Sequence, residues 1–193
     1  MSTAAPLLLA TRNAHKLREF RRLLPGVALE PLPAQLEAPE ETGETYAENA
    51  LIKARAAAQA TGRVAVADDS GIEAAALGGA PGVRSARYAG EHASDGENLA
   101  KLRAEVPAGS ALRYVCVIAR VTPAGEEQLF EGVCHGVMAG DGRGTRGFGY
   151  DPVFVPDEPA AGGRTMAELT DEEKDAISHR GRAARALLAA LGG

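Results

Sequence analysis

Four carboxylates, Glu40, Glu41, Asp68 and Asp69, stand as two adjacent pairs. Hard oxygen donors in pairs suit Mg²⁺, which takes one or two carboxylates and completes its shell with substrate phosphates and water. Zinc fits less well, because the four histidines and two cysteines show no ligand spacing. The plainer reading leaves Glu40 and Glu41 on a solvated surface and makes Asp68 a local cap. A second group is the polar turn Thr11-Arg12-Asn13-Ala14-His15-Lys16, lying between a run of leucines and a helical spacing of Leu17, Phe20 and Leu24. A strand–turn–helix junction offers unpaired N–H groups and a dipole that favours an anion, and Lys16 adds a point charge. Beside a magnesium site, such a turn implies a polyphosphate substrate. A Walker A loop is absent.

Two further groups lie downstream. In Gly147-Phe148-Gly149-Tyr150-Asp151-Pro152, glycines flank two aromatics in a chain with only 4% aromatic residues. A ring on such a loop is either a stacking platform for a nucleobase or a plug into the core. Just upstream, Gly142 to Gly147 satisfies G-x-G-x-x-G, but no helix follows, so the dinucleotide fingerprint is rejected. Lys174 with Ser178-His179-Arg180-Gly181 supplies donors suited to the acceptors of a 6-keto purine. Its bland alternative is an ordinary helix start with a solvated arginine.

The elements that must position these groups can be read in order. Leu7 to Thr11 is a first buried strand. Pro25 to Pro39 is loop-rich, with short extended pieces. Thr45-Tyr46-Ala47-Glu48 is a capping box opening an alanine-rich helix that stops near Gly62, with Asn49 and Lys53 on one face. Val64-Ala65-Val66-Ala67 then reads as a buried strand delivering Asp68 and Asp69 at its C-terminal end, with Gly71 turning the chain sharply. Ser94 to Glu97 caps a helix carrying Leu99, Leu102 and Val106. Residues 112–122 and 128–138 form a hairpin across Pro123-Ala124-Gly125. Residues 165–169 form a short helix, and Thr170 to Glu173 is a third capping box. The last helix carries Ala184, Leu187, Leu188 and Leu191. This mixture predicts a mixed α/β (α+β) sheet rather than a doubly wound parallel one.

The 193 residues suffice for one domain, residues 1–193, with a full core. The balance of 21 basic against 26 acidic residues gives a net charge of −5, which argues against a general nucleic-acid binder. Cys116 and Cys134 read as buried reduced thiols. Neither a secretion signal nor a membrane span is visible, so a cytoplasmic location is expected.

Taken together, these stretches resemble the inosine triphosphate pyrophosphatase family over nearly the whole chain and in the family's order. The matching blocks are Ala10 to Lys16, Glu40 to Gly43, Glu48-Asn49-Ala50, Lys53-Ala54, Ala67 to Gly71, Gly78 to Gly82, Ser85 to Tyr88, Gly147 to Pro152 and Ser178 to Gly181. The resemblance implies a two-lobed fold around a long curved mixed sheet flanked by helices, Mg²⁺ dependence and a homodimer. It implies hydrolysis of ITP, dITP and XTP to the monophosphate and pyrophosphate. By position, Thr11, Arg12, Asn13, Ala14, His15 and Lys16 would hold the triphosphate. Glu40 and Asp69 would bind metal, Asp69 would also be the general base, and Ser70 would contact substrate. Phe148, Gly149, Tyr150, Asp151, Lys174, His179 and Arg180 would hold the base. Asp68, on the opposite side of an extended strand, has a supporting role. Arg180 donating to a purine O6 would be left unpaired by adenine, a kind of mismatch that discriminates by about 10⁴–10⁵-fold. The rival readings are a pyrophosphatase for other modified nucleotides and a nucleotide sensor without turnover; intact Lys16, Glu40 and Asp69 argue against the sensor.

Overall fold

The computed structural model describes residues 6–192. The chain divides into two compact units. One comprises the residues up to Asp69, Val117–Glu131 and the residues from Ala183; the other comprises Ser70–Cys116 and Gly132–Arg182.

In the first unit, strand β1 (Leu7–Leu9) is three buried leucines. It pairs in parallel with β2 (Leu29–Pro31) on one side and with β3 (Ala65–Ala74) on the other. Helix α1 (Ala14–Leu23) links β1 to β2 and buries Phe20 and Leu23. Helix α2 (Tyr46–Thr61) precedes β3. Its Ala50, Ala54, Ala57 and Ala58 recur every three or four residues and cluster with Leu8, Ala65, Ala67, Ala119 and Val121. Methyl-sized side chains on both partners let the helix backbone approach the sheet closely. The expected capping box of Thr45 and Glu48 opens α2, and Gly62 ends it at φ 64°, a conformation few other residues adopt.

The second unit contains α3 (Asp95–Glu105), most of β4 (Ala111–Val121) and β5 (Glu127–Met138), β6 (Phe154–Pro156) and α4 (Asp171–Ile177). Its core gathers Ile72, Leu102, Leu112, Tyr114, Met138, Phe154, Met166 and Leu169. Helix α5 (His179–Leu191) begins here and continues into the first unit. The capping boxes at Ser94 and Thr170 form as expected, and a fourth, Thr165 with Glu168, opens the 3₁₀ turn Met166–Glu168. The strand order is β2-β1-β3-β4-β5-β6, parallel across β2-β1-β3 and antiparallel at β5-β6. The expected mixed sheet is present. Both cysteines are buried thiols outside any disulfide.

One expectation is corrected. β3 does not end at the acidic pair; it runs straight through Asp68, Asp69, Ser70 and Gly71 to Ala74. Gly71 is not among the positive-φ glycines, so it makes no sharp turn. The strand continues because apolar burial resumes beyond the polar residues, with Ile72 and Ala74 fully buried, and because the Ser85 hydroxyl accepts the Ile72 N–H at 2.9 Å.

Candidate active site

In the first unit, Asp69 shares a face of β3 with Ala65 and Ala67, since alternate residues of a strand point the same way. Those alanines pack with α2, and two polar residues of α2, one turn apart, reach the carboxylate. Asn49 Nδ2 donates to Asp69 Oδ2 at 3.3 Å, and Lys53 Nζ lies 3.4 Å from Asp69 Oδ1. The same ammonium donates to Glu41 Oε1 at 3.0 Å. Asp68 points the other way, and its Oδ2 is 2.9 Å from Lys16 Nζ. The strand thus carries two carboxylates back to back, each with its own lysine.

The electrostatics follow from that geometry. Burial holds the Asp69 carboxyl above its ordinary range, while the charges of Lys53 and Lys16 pull against the shift. Burial opposes the charge of Lys53, but Asp69, Asp68 and Glu41 outweigh it and raise its pKa, so the side chain stays an ammonium.

The polar turn is more internally occupied than expected. Asn13 caps α1, its Oδ1 accepting the N–H groups of His15 at 2.9 Å and Lys16 at 3.1 Å. These two N–H groups do not stand unpaired, which corrects the sequence expectation; an Asx cap satisfies them locally. Thr11 Oγ1 accepts from Asn13 N. Arg12 donates to the carbonyls of Ala34 and Leu36, and the Arg18 guanidinium lies 2.7 Å from His15 Nδ1. Ala14 is exposed at the first helical position, and the Lys16 side chain keeps 15% of its surface in solvent.

Among the described residues no cluster of three or more His, Cys, Asp or Glu side chains is arranged to hold a metal ion. A two-carboxylate set nevertheless suits Mg²⁺, whose other ligands come from phosphate and water. Glu41 and Asp69 form such a set, converging on one cationic point, the Lys53 ammonium. Glu40 is exposed, and it is its neighbour Glu41 that shares Lys53 with Asp69.

In the second unit, Asp151 is the hub. Its carboxylate, in a residue 3% exposed, accepts the Phe148 N–H at 3.0 Å and the Lys174 ammonium at 2.7 Å on Oδ2, and the Tyr114 hydroxyl at 3.2 Å on Oδ1. Gly147 adopts φ 73°, and a methyl group on it would overlap that carboxylate, so only glycine fits. The Gly149 N–H donates to Asp95 at the start of α3. The two aromatics of the glycine loop divide the two readings between them. Tyr150 is the plug, buried in the core with its hydroxyl donating to Ser85 O at 2.7 Å, and burial pushes its pKa upward. Phe148 stays half-buried, with Lys174 Nζ 5.1 Å and Arg180 Cζ 5.7 Å from its ring centre. His179 and Arg180 open α5 and are buried, and Arg180 Nη2 donates to Ser70 Oγ at 2.9 Å.

Sequence reasoning placed Asn49 and Lys53 on one face without assigning them to the site, although two polar residues a turn apart in an alanine-rich helix were the available signal. Tyr114 gave none, because its partner Asp151 lies 37 residues further along the chain and nothing in the run Leu112-Arg113-Tyr114-Val115 points to it.

Fold and side chains define a mixed α/β protein with a carboxylate–lysine centre in mid-strand and a separate aspartate–aromatic hub. The chain belongs to the Ham1 family, whose sequence profile matches residues 7–190. It is 54% identical over 183 residues to the dITP/XTP pyrophosphatase of Symbiobacterium thermophilum, covering 92% of this chain and 90% of that protein. It is 49% identical over 199 residues to the dITP/XTP pyrophosphatase of Mycolicibacterium paratuberculosis, covering 97% and 96%. Among solved structures, a HAM1 protein from Coxiella burnetii aligns with a TM-score of 0.85 at 42% identity, over 97% of this chain and 98% of that one. The nucleoside-triphosphatase / dITP/XTP pyrophosphatase of Mycobacterium abscessus aligns with a TM-score of 0.73 at 48% identity, over 95% and 99%.

Proposed function

We propose that the protein hydrolyses ITP, dITP and XTP to the nucleoside monophosphate and pyrophosphate, removing deaminated purines from the nucleotide pool. The observation that carries the chemistry is Asp69: a buried carboxylate whose proton affinity is raised by burial, held between Lys53 and Asn49. Relatives named dITP/XTP pyrophosphatase support the substrate class.

In this reading Asp69 takes the proton of the attacking water, a role worth about 10²–10⁴-fold in general base catalysis. The new bond forms between the water oxygen and the α-phosphorus. The bond from that phosphorus to the α–β bridging oxygen breaks, and pyrophosphate leaves with its electrons. Asn49 fixes the carboxylate, and Lys53 keeps positive charge beside it. Thr11, Arg12, Asn13, Ala14, His15 and Lys16 would receive the triphosphate. Asp69, with Glu40 or Glu41, would hold Mg²⁺, which when bound neutralises charge on the phosphate oxygens. Phe148 offers its ring face to the purine, while Lys174, His179, Arg180 and Ser70 supply polar groups for its edge; Asp151, Gly149 and Tyr150 hold the loop that carries Phe148. The chain acts as a single domain over residues 1–193, supported by an unbroken family match; residues 1–5 and 193 of that range lie outside the described residues. A homodimer in the cytoplasm completes the reading. Among the described residues no helix is long and apolar enough to cross a membrane.

The test is a panel of ITP, dITP, XTP, GTP and ATP with Mg²⁺, quantifying both products. Equal amounts of IMP and pyrophosphate from ITP are expected, with ATP and GTP turned over poorly. Release of IDP and orthophosphate would reject the chemistry, and equal turnover of all five would reject the substrate class.

A further inference from the structure

We propose that Tyr114 is a positioning residue for purine recognition, acting on the base site through Asp151 and His179. This rests on the reading that Phe148, Lys174, His179 and Arg180 hold the base.

Tyr114 lies on β4 and is 6% exposed. Its two ends do different things. The ring lies 4.5 Å from the His179 ring at an interplanar angle of 10°, and 4.5 Å from the Phe154 ring at 37°. His179 is therefore backed by a flat wall that is itself held by core packing, which fixes the plane of the imidazole. The hydroxyl donates to Asp151 Oδ1, while Oδ2 of the same carboxylate takes the Phe148 N–H and the Lys174 ammonium. A carboxylate gripped at both oxygens cannot rotate about its terminal bond. Its orientation decides where Phe148 and Lys174 sit. One buried phenol thus sets the plane of His179 and, through Asp151, the positions of the loop ring and the lysine. Burial and the neighbouring negative charge also push the phenol pKa well above its ordinary value, so the group remains a donor across the working pH range.

The two ends separate by substitution. Tyr114→Phe keeps the ring against His179 and removes only the donor to Asp151. Tyr114→Leu removes both. Steady-state kinetics with ITP and ATP in Mg²⁺ should show the KM of Tyr114→Phe for ITP raised about three- to ten-fold, the loss expected for one ordinary intramolecular hydrogen bond, with kcat unchanged. The ratio of kcat/KM for ITP over ATP should narrow. Tyr114→Leu should narrow it further; if that variant does not fold, Tyr114→Phe carries the test alone. A merely structural tyrosine behaves differently, because a smaller folded fraction lowers apparent kcat and leaves KM and the substrate ratio alone. That pattern, or wild-type KM and ratio in Tyr114→Phe, overturns the proposal. Arg180→Ala separates the two levels. If it narrows the ITP/ATP ratio and Tyr114→Phe does not, only the role of Tyr114 fails. If Arg180→Ala leaves the ratio unchanged, the reading of the base site fails and the proposal falls with it.

Discussion

A carboxylate at 6% exposure survives at Asp69 because partners arrive from a helix one turn at a time. Breaking that arrangement has a specific expected cost. Asp69→Asn keeps the volume and an acceptor for Asn49 but loses the base and the ion pair with Lys53. Its kcat should fall about 10²–10⁴-fold while circular dichroism stays that of wild type; undiminished turnover would take Asp69 out of the mechanism. At this scale the sequence was partly legible. Asp69, Phe148, His179 and Arg180 were candidates because an acidic pair follows an apolar run, a ring sits between glycines and a His-Arg pair opens a helix, though each pattern also has a plainer structural reading. The choice between Glu40 and Glu41 was not legible, since two adjacent acids in a loop have no periodicity to tell them apart. Tyr114 was invisible for a different reason: its hydroxyl works through Asp151, 37 residues further along the chain.

The elements that start with capping boxes were the easiest to foresee, because a cap is a local bargain between residues three apart. Thr45, Ser94 and Thr170 all cap as their spacing predicts. The course of β3 was harder. Polar residues in mid-strand look like a strand's end until their partners Lys16, Lys53 and Arg180 are known, and those come from elsewhere in the chain. The caps carry a pH prediction. Glu173 accepts from the Arg164 guanidinium and from the Thr170 backbone, and these bonds hold its carboxyl down to about 2 in the folded protein. A carboxyl depressed on folding contributes stability that is full above its ordinary pKa and lost as pH falls towards the folded value. Urea denaturation at stepped pH should therefore show stability falling between about pH 4.5 and 2, with part of that fall absent in Glu173→Gln. An identical acid profile in the variant would show that this cap does not contribute.

Across the whole molecule, each unit has its own core, one built from alanines under α2 and one from large side chains including Leu102 and Phe154. The mixed class of sheet was foreseeable from the order of βα units and hairpin; the division of β3, β4 and β5 between two units was not, because nothing in a strand's own pattern marks such a boundary. Leu102, fully buried on α3, is the place to test the second core. Leu102→Ala should cost about 2–5 kcal/mol by urea denaturation, and a loss as small as that of a surface change would mean the site collapses around the gap. The net charge of −5 leaves attraction of an anionic nucleotide to local cations such as Lys16 and Lys53. What happens to that nucleotide is read most directly from isotope placement. When dITP is turned over in ¹⁸O-water with Mg²⁺, the label should appear in the phosphate of dIMP, with unlabelled pyrophosphate released. Label in the pyrophosphate, or no cleavage of dITP, would contradict water attack at the α-phosphorus.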